Sequence, residues 1–274
     1  MSTDALLQDL RRLGVRPGDL LMVHASLRKI GLARTAIGEG GAELLLDALD
    51  RAVGPDGTLM VTLGTQYDMD WVNRSPEGER GALLAAAQPF DYQHAPAQPD
   101  VGWLAEAFRR RPGTIVSDNP SGRFGARGAG AAALMADAPW HDYYGPGSAL
   151  QKLCEAGGRI LRLGADTDTV TALHYAEYLA DLPDKRRTRW DYVLAGENGP
   201  RHVWITCLDD SAGIALWPGE DYFAVILKAY LAEGRHRAGR VGEAESELIE
   251  AADLVAFGAR WMEENLASAP TPSS

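Results

Sequence analysis

His174 and Glu177 lie three residues apart in a stretch where Leu173, Ala176, Leu179 and Ala180 recur at helical spacing. Side chains three apart on a helix are neighbours, so this imidazole and this carboxylate can interact. An imidazole in the first turns of a helix is pushed toward its neutral form by the positive end of the helix dipole. A neutral imidazole near pH 7 can accept a proton, which is general-base chemistry. A His beside a Glu on a helix is also what an ordinary surface or core pair looks like, so spacing alone leaves both readings open.

The surrounding elements must position this pair. Ile160 to Leu163 reads as a buried strand, punctuated by Gly164. Asp166, Thr167, Asp168 and Thr169 then offer N-caps just before the helical pattern begins. Asp4 to Leu13 is helix-like, and Leu20 to Val23 reads as a buried strand. Gly40 to Val53 is helical, and the turn Gly54-Pro55-Asp56-Gly57 leads into a second buried strand, Thr58 to Leu63. This β-α-β rhythm, with strands apolar nearly throughout, predicts an α/β fold: a central, mainly parallel mixed sheet covered by helices. Regular signals fade between Gly64 and Val101, where residues 65–100 contain four prolines and several aromatics. A loop of that length suggests function. Gly102 to Arg111, Ala129 to Ala136 and Ala251 to Leu266 read as helices, and His202 to Leu208 as a strand. One domain over residues 1–266 is expected, with 65–100 and 181–250 shaping a smaller loop-rich substrate-binding part and 267–274 a disordered tail.

The chain has 274 residues and a net charge of −11, from 38 acidic and 27 basic side chains. That balance argues against a nucleic-acid partner and suits a cationic small molecule, whose local concentration an acidic cleft raises. No apolar run reaches the length of a membrane span, and Met1 to Leu10 lacks the apolar core of an export signal, so a cytoplasmic location is expected. Cys154 and Cys207 read as free thiols, and the absence of Cys/His ligand spacing argues for no metal. Either a monomer or a homodimer is compatible with the sequence.

Several segments, in register, carry a family resemblance. Thr171-x-x-His174-x-x-Glu177 after a strand and loop resembles the signature of the aminoglycoside 3-N-acetyltransferases. Val23-His24-Ala25-Ser26-Leu27-Arg28-Lys29-Ile30-Gly31 is similar to that family's Val-His-Ser-Ser-Leu segment. Gly54 to Gly57, Val101 to Gly113 and Gly147 to Leu153 follow in the family's order. The likeness spans roughly residues 5 to 180 and loosens from Asp181 onward, where substrate choice is expected to lie. Two departures stand out: Ala149 replaces a usual proline, and Asn119-Pro120 stands where relatives often carry His-Pro.

The resemblance implies an enzyme that moves an acetyl group from acetyl-coenzyme A (acetyl-CoA) to the 3-amino group of a 2-deoxystreptamine aminoglycoside, conferring antibiotic resistance. His174 would be the base and Glu177, or a nearby carboxylate, its orienting partner. His24, Ser26, Leu27, Arg28, Lys29, Ile30 and Gly31 follow a strand end, where ligands gather in open α/β sheets. With Ser148 and Thr171 they are expected to hold the cosubstrate, Arg28 or Lys29 reaching a phosphate. A basic turn with a structural His24 is the alternative. Amides near Ser26 or Ser148 would steady the oxyanion, although Ser148 also suits a plain helix cap. Tyr67, Asp68, Asp70, Asp209, Asp210, Glu220 and Asp221 are the candidates for an ammonium-rich substrate. Asp209 and Asp210 are adjacent and project differently, so at most one should face the cleft; a turn role is open to both. The basic clusters Arg109 to Arg111, Lys185 to Arg189 and Arg235 to Arg237 read as solvated faces or salt-bridge partners. An acyltransferase for another amine and a non-catalytic protein that sequesters a polycation are the rivals. A thioesterase is weaker, because no serine sits in a Gly-x-Ser-x-Gly elbow.

Overall fold

The chain opens with helix α1 (Thr3–Leu13), whose N-terminus Ser2 caps and whose end is closed by Gly14 in the left-handed region. Strand β1 (Leu20–Ala25), the single turn α2 (Leu27–Ile30), helix α3 (Gly40–Val53) and strand β2 (Thr58–Thr62) follow. Helices α4 (Asp70–Arg74) and α5 (Glu77–Ala86) occupy the stretch where the sequence shows no regular signal. None of α5 is buried, so no apolar stripe marks it. Helix α6 (Trp103–Arg110), strands β3 (Ile115–Val116) and β4 (Phe124–Gly128), helices α7 (Ala131–Met135) and α8 (Ala149–Glu155), strand β5 (Arg159–Leu163) and helix α9 (Leu173–Leu179) come next. The hairpin β6 (Arg187–Leu194) and β7 (Arg201–Leu208), helix α10 (Tyr222–Ala232), strands β8 (Arg237–Val241) and β9 (Ala244–Glu250), and helix α11 (Ala251–Leu266) complete it. This computed structural model describes residues 1–32, 40–65 and 69–266, apart from the side chains of Asp70 and Asn73. Tyr67, Asp68 and the expected tail 267–274 lie outside the described residues.

Seven strands form one mixed sheet in the order β3-β4-β2-β1-β5-β9-β8. The β-α-β rhythm is realised at its centre, where β1 runs parallel to both β2 and β5. The flanking pairs β2–β4, β3–β4, β5–β9 and β8–β9 are antiparallel. Central strands are apolar on both faces because helices cover both. Leu21, Val23, Leu59, Val61, Leu161 and Leu163 pack with α1, α3 and α6. Met22, Met60, Ile160 and Ile249 pack on the other side with α8, α9, α10 and α11.

The hairpin β6–β7 is a separate two-stranded sheet. Its Trp190, Tyr192 and Ile205 pack with Phe90 and Tyr143, and its Val193 packs with Met69 and Val72. Among the described residues no helix is long and apolar enough to cross a membrane, and no group of three or more His, Cys, Asp or Glu is placed to hold a metal ion. Both cysteines are free thiols.

Candidate active site

Helix α9 begins at Leu173 with Ala172 as its cap residue and no side-chain cap, so the polar cluster 166–169 does not start it as expected. Short turns lead into it instead, with the amide of Leu173 donating to Val170 and that of His174 to Thr171. Its buried face also differs from the periodic reading. Leu179 is 47% exposed, whereas the Glu177 carboxylate is 1% exposed. A buried carboxylate must be hydrogen-bonded, and this one is. Its Oε2 meets His174 Nδ1 at 2.8 Å, and its Oε1 accepts from the hydroxyl of Tyr222. Tyr222 in turn accepts from the amide of Ile214 at 3.2 Å. Close approach makes this possible: Gly213 has a φ of +79°, and a Cβ there would sit 2.7 Å from the Tyr222 ring.

Two further rings fix the imidazole. Tyr144 stacks on His174 at 4.7 Å and 10°, and Phe223 meets it edge-on at 4.8 Å. With Nδ1 held by Glu177, Nε2 is the atom free to act, and His174 lines a cleft of about 360 Å³. That cleft is acidic: Asp168, Glu177, Asp210, Glu220 and Asp221 line it, with Trp217 and Phe223 among the aromatics. Burial pulls the His174 pKa down, but the charge and hydrogen bond of Glu177, with Asp210 and Asp221 behind them, outweigh it. The net shift is upward. The carboxylates therefore shift the ring toward its protonated form, opposite in direction to the shift expected from a helix N-terminus.

Asp209 and Asp210 divide their roles. Asp209 accepts from the amides of Ser211 and Ala212 and pairs with Arg186 at 3.2 Å, which is turn chemistry. Asp210 lines the cleft and accepts from the Tyr143 hydroxyl. Burial raises its carboxyl above the usual range, against the opposing influence of His174 and Tyr143. Asp221 caps α10 through the amide of Phe223 at 2.7 Å and stays exposed at the rim. Glu220, beside it, pairs with Lys228. Asp70 opens α4, and its side chain lies outside the described residues.

A second, longer groove of about 570 Å³ lies over the carboxyl ends of β1 and β2. Val23, His24, Ser26, Leu27 and Arg28 line one side, Val101 to Ala105 the other, and Asp166, Thr169 and Thr171 close it. The sheet face that carries its His24 and Thr62 changes character abruptly. One row of the sheet, Ala126, Met60, Met22, Ile160 and Ile249, is apolar. In the next row on the same face, beyond Phe124, stand Thr62, His24, Arg162 and Glu247, of which His24 with Arg162 and Arg162 with Glu247 are register partners. Arg162 is 1% exposed. It donates to Glu247 at 3.0 Å and to the carbonyls of Ala165 and Asp166 at 3.0 and 2.8 Å. A buried guanidinium is tolerable only when paired; removing a partner typically costs about 3–5 kcal/mol. Arg162 thus anchors the segment 165–171. Asp166, Thr169 and Thr171 of that segment face the groove, while Asp168 faces the acidic cleft.

Four of the expected cosubstrate residues do not line this groove. Ile30 is fully buried in the core, and Gly31 ends α2 with a φ of +86°. Ser148 is fully buried, capping α8 through the amide of Gln151 at 3.2 Å. Lys29 pairs with Asp166 at 2.6 Å beside the groove. The amide of Ser26 donates to Leu163 at 2.9 Å, so it is not available to an oxyanion. Asn119 clamps a turn, donating to the carbonyls of Pro139 and Trp140 and accepting from the amides of Ser121 and Gly122. The basic clusters are salt-bridge partners: Arg109 with Glu106, Arg111 with Glu43, Asp47 and Asp50, Arg187 with Asp142, and Arg235 with Asp253. Arg162, Tyr144, Tyr222 and Phe223 complete the site without having been singled out from the sequence in these roles. Only Arg162, a charge set between Leu161 and Leu163 inside β5, carries a local signal.

Known proteins match along the whole chain. The family profile described as aminoglycoside 3-N-acetyltransferase matches residues 22–263. The aminoglycoside N(3)-acetyltransferase VII of Streptomyces paromomycinus is 40% identical over 273 residues, covering 95% of this chain and 91% of that one. Among solved structures, AAC-IIIb in its binary form with CoASH superposes with a TM-score of 0.87 at 38% identity, covering 99% of both chains. AAC-VIa bound to sisomicin gives a TM-score of 0.85 at 37% identity, covering 98% of this chain and 99% of that one.

Proposed function

Because this chain belongs to the aminoglycoside 3-N-acetyltransferase family, we propose that His174 is the base through which it moves an acetyl group from acetyl-CoA to the 3-amino group of a 2-deoxystreptamine aminoglycoside. One observation carries the assignment: an imidazole tied through Nδ1 to a buried Glu177, with its other nitrogen open to a cleft of carboxylates. An ammonium group is drawn into that cleft by charge. His174 Nε2 takes a proton from it, and Glu177 stabilises the imidazolium that forms. The freed amine attacks the thioester carbonyl, and the N–acyl bond forms as the C–S bond breaks. The acylated nitrogen gives up a second proton, which the leaving thiolate takes up, and the imidazolium returns its proton to solvent. Acetylation removes a positive charge, which loosens the product's hold on the acidic cleft. The groove over β1 and β2 suits the cosubstrate, with exposed Arg28 at its rim as the cation for a phosphate. Mass spectrometry of a panel of aminoglycosides after incubation with acetyl-CoA tests the reading. Gain of one acetyl group at the 3-amino position supports it, and acetylation elsewhere or on other amines alone refutes it.

Charge gives a second expectation. Exposed carboxylates such as Glu220 and Asp221 act through a screening length of about 8 Å at 0.15 M salt. The aminoglycoside KM should therefore rise with ionic strength, while that of acetyl-CoA changes much less. Equal insensitivity of both would count against an acidic recognition cleft.

Tyr222 gives a third. Its hydroxyl binds Glu177 most strongly when the pair carries the most negative charge, that is, with His174 neutral. In Tyr222→Phe the neutral-His state loses more than the protonated one, so the pair binds its proton more tightly. The acid limb of kcat/KM should then move to higher pH, with activity restored at alkaline pH. An unmoved limb in a folded variant would leave Tyr222 with packing alone.

A further inference from the structure

The floor of the cosubstrate groove holds one group that the base chemistry does not use. His24 stands near the end of β1, 6% exposed, and its Nε2 is sealed from solvent without a partner. The Nε of Arg162 is sealed and unpartnered in the same way. The two residues are register partners on adjacent parallel strands, and the charge of Arg162 acts on the imidazole. A guanidinium N–H can only donate, whereas a ring nitrogen can accept. The two orphans are complementary when His24 Nε2 is the acceptor, which puts the ring proton on Nδ1. Nδ1 is not sealed, and His24 lines the groove. Burial and Arg162 depress its pKa to about 3, so the ring is neither a base nor a cation at neutral pH. What it offers is one fixed N–H donor.

We propose that His24, as its Nδ1–H tautomer, donates a hydrogen bond to the thioester carbonyl oxygen of acetyl-CoA, where negative charge develops as the amine attacks. The proposal rests on the assignment of this groove to the cosubstrate. Position favours the thioester over the rest of that molecule. His24 shares its part of the groove with Thr62 and Thr171, whose hydroxyl oxygens are 3.2 Å apart. Thr171 lies one turn before His174, with its carbonyl accepting from the His174 amide. The amides of Ser26 and Ser148 both donate within the fold, to the carbonyls of Leu163 and Gly145, so neither of these two competes for the role. Arg162 acts here as a positioning residue, through the ring.

Asparagine sets an amide N–H where Nδ1 stands, and glutamine sets one where Nε2 stands. His24→Asn should keep kcat within about tenfold, while His24→Gln and His24→Phe should lose about 10²-fold, the effect of removing one oxyanion donor, with the aminoglycoside KM little changed. Nitrogen-15 spectra of histidine-labelled wild-type enzyme give an independent readout should a variant fail to fold. His24 should carry its proton on Nδ1 and not titrate between about pH 5 and 9. Acetyl-CoA should shift its resonance, and CoA much less. A glutamine variant as active as the asparagine one, a proton on Nε2, or titration in that range overturns the proposal. Equal shifts with CoA and acetyl-CoA overturn the thioester assignment but keep the groove. No shift with either overturns the groove itself.

Discussion

Replacing His174 with alanine should slow turnover by roughly 10²–10⁴-fold, the usual contribution of a positioned base, while folding and coenzyme affinity are largely kept. The imidazole lies between Tyr144 and Phe223 at the edge of the core, so its loss opens a gap without unpicking an element. Glu177 retains its bond from Tyr222. The deficit should shrink at alkaline pH, where the substrate amine loses its proton unaided. In the wild type, Glu177, Asp210 and Asp221 hold the imidazole pKa above its ordinary value. Since the unprotonated ring is the active form, kcat/KM should rise with pH through that elevated pKa, giving an acid limb above the usual histidine midpoint of about 6.5. Rate against pH for both enzymes checks this. A well-folded alanine variant with near-normal kcat removes His174 from the mechanism.

Asp210→Asn should weaken aminoglycoside kcat/KM by about 1.5–3 kcal/mol, the scale of a hydrogen bond to a charged group, and Asp209→Asn should not. Asp210 faces the cleft, and its charge supports the protonated form of His174. Its neutralisation should therefore weaken the hold on an ammonium and also move the acid limb to lower pH. Asp209 serves the turn after β7, and asparagine keeps the oxygen that the amides of Ser211 and Ala212 need. Its variant loses the pairing between a buried carboxylate and half-exposed Arg186, so its deficit should appear in melting temperature and not in kcat/KM. Steady-state kinetics with the drug varied, and the melting temperature of each protein, separate the two. If both keep full kcat/KM, recognition belongs to Glu220 and Asp221 at the rim.

The parts of this molecule that could be read from its sequence are those that repeat. Helices α3 and α11 fall on the expected residues because their apolar positions recur at helical spacing over at least three turns. β1 and β2 were legible because parallel strands buried on both sides are continuous apolar runs. Helices α4 and α5 were not, since among the described residues they lean on Val193 of the β6–β7 hairpin through a small apolar cluster of Met69, Val72, Leu83, Leu84 and Ala87. The pairing of His174 with Glu177 followed from spacing, and the family likeness gave it meaning. Tyr144, Tyr222 and Phe223 reach His174 and Glu177 from distant parts of the chain, and no local pattern encodes such a meeting. The helix-dipole argument failed for a related reason. It counts one helix end, whereas the site gathers carboxylates from α9, the turn after β7 and the start of α10.

The segment 165–171 serves as a wall to both clefts, whereas residues 210–223 touch only the acidic one. That asymmetry governs how such an enzyme can diversify under antibiotic selection. A change at Asp166, Thr169 or Thr171 that admits a new drug also alters the groove proposed for the cosubstrate, which every drug must share. A change between Ser211 and Glu220 does not, so adaptive variants should accumulate on that far wall while the near one drifts little.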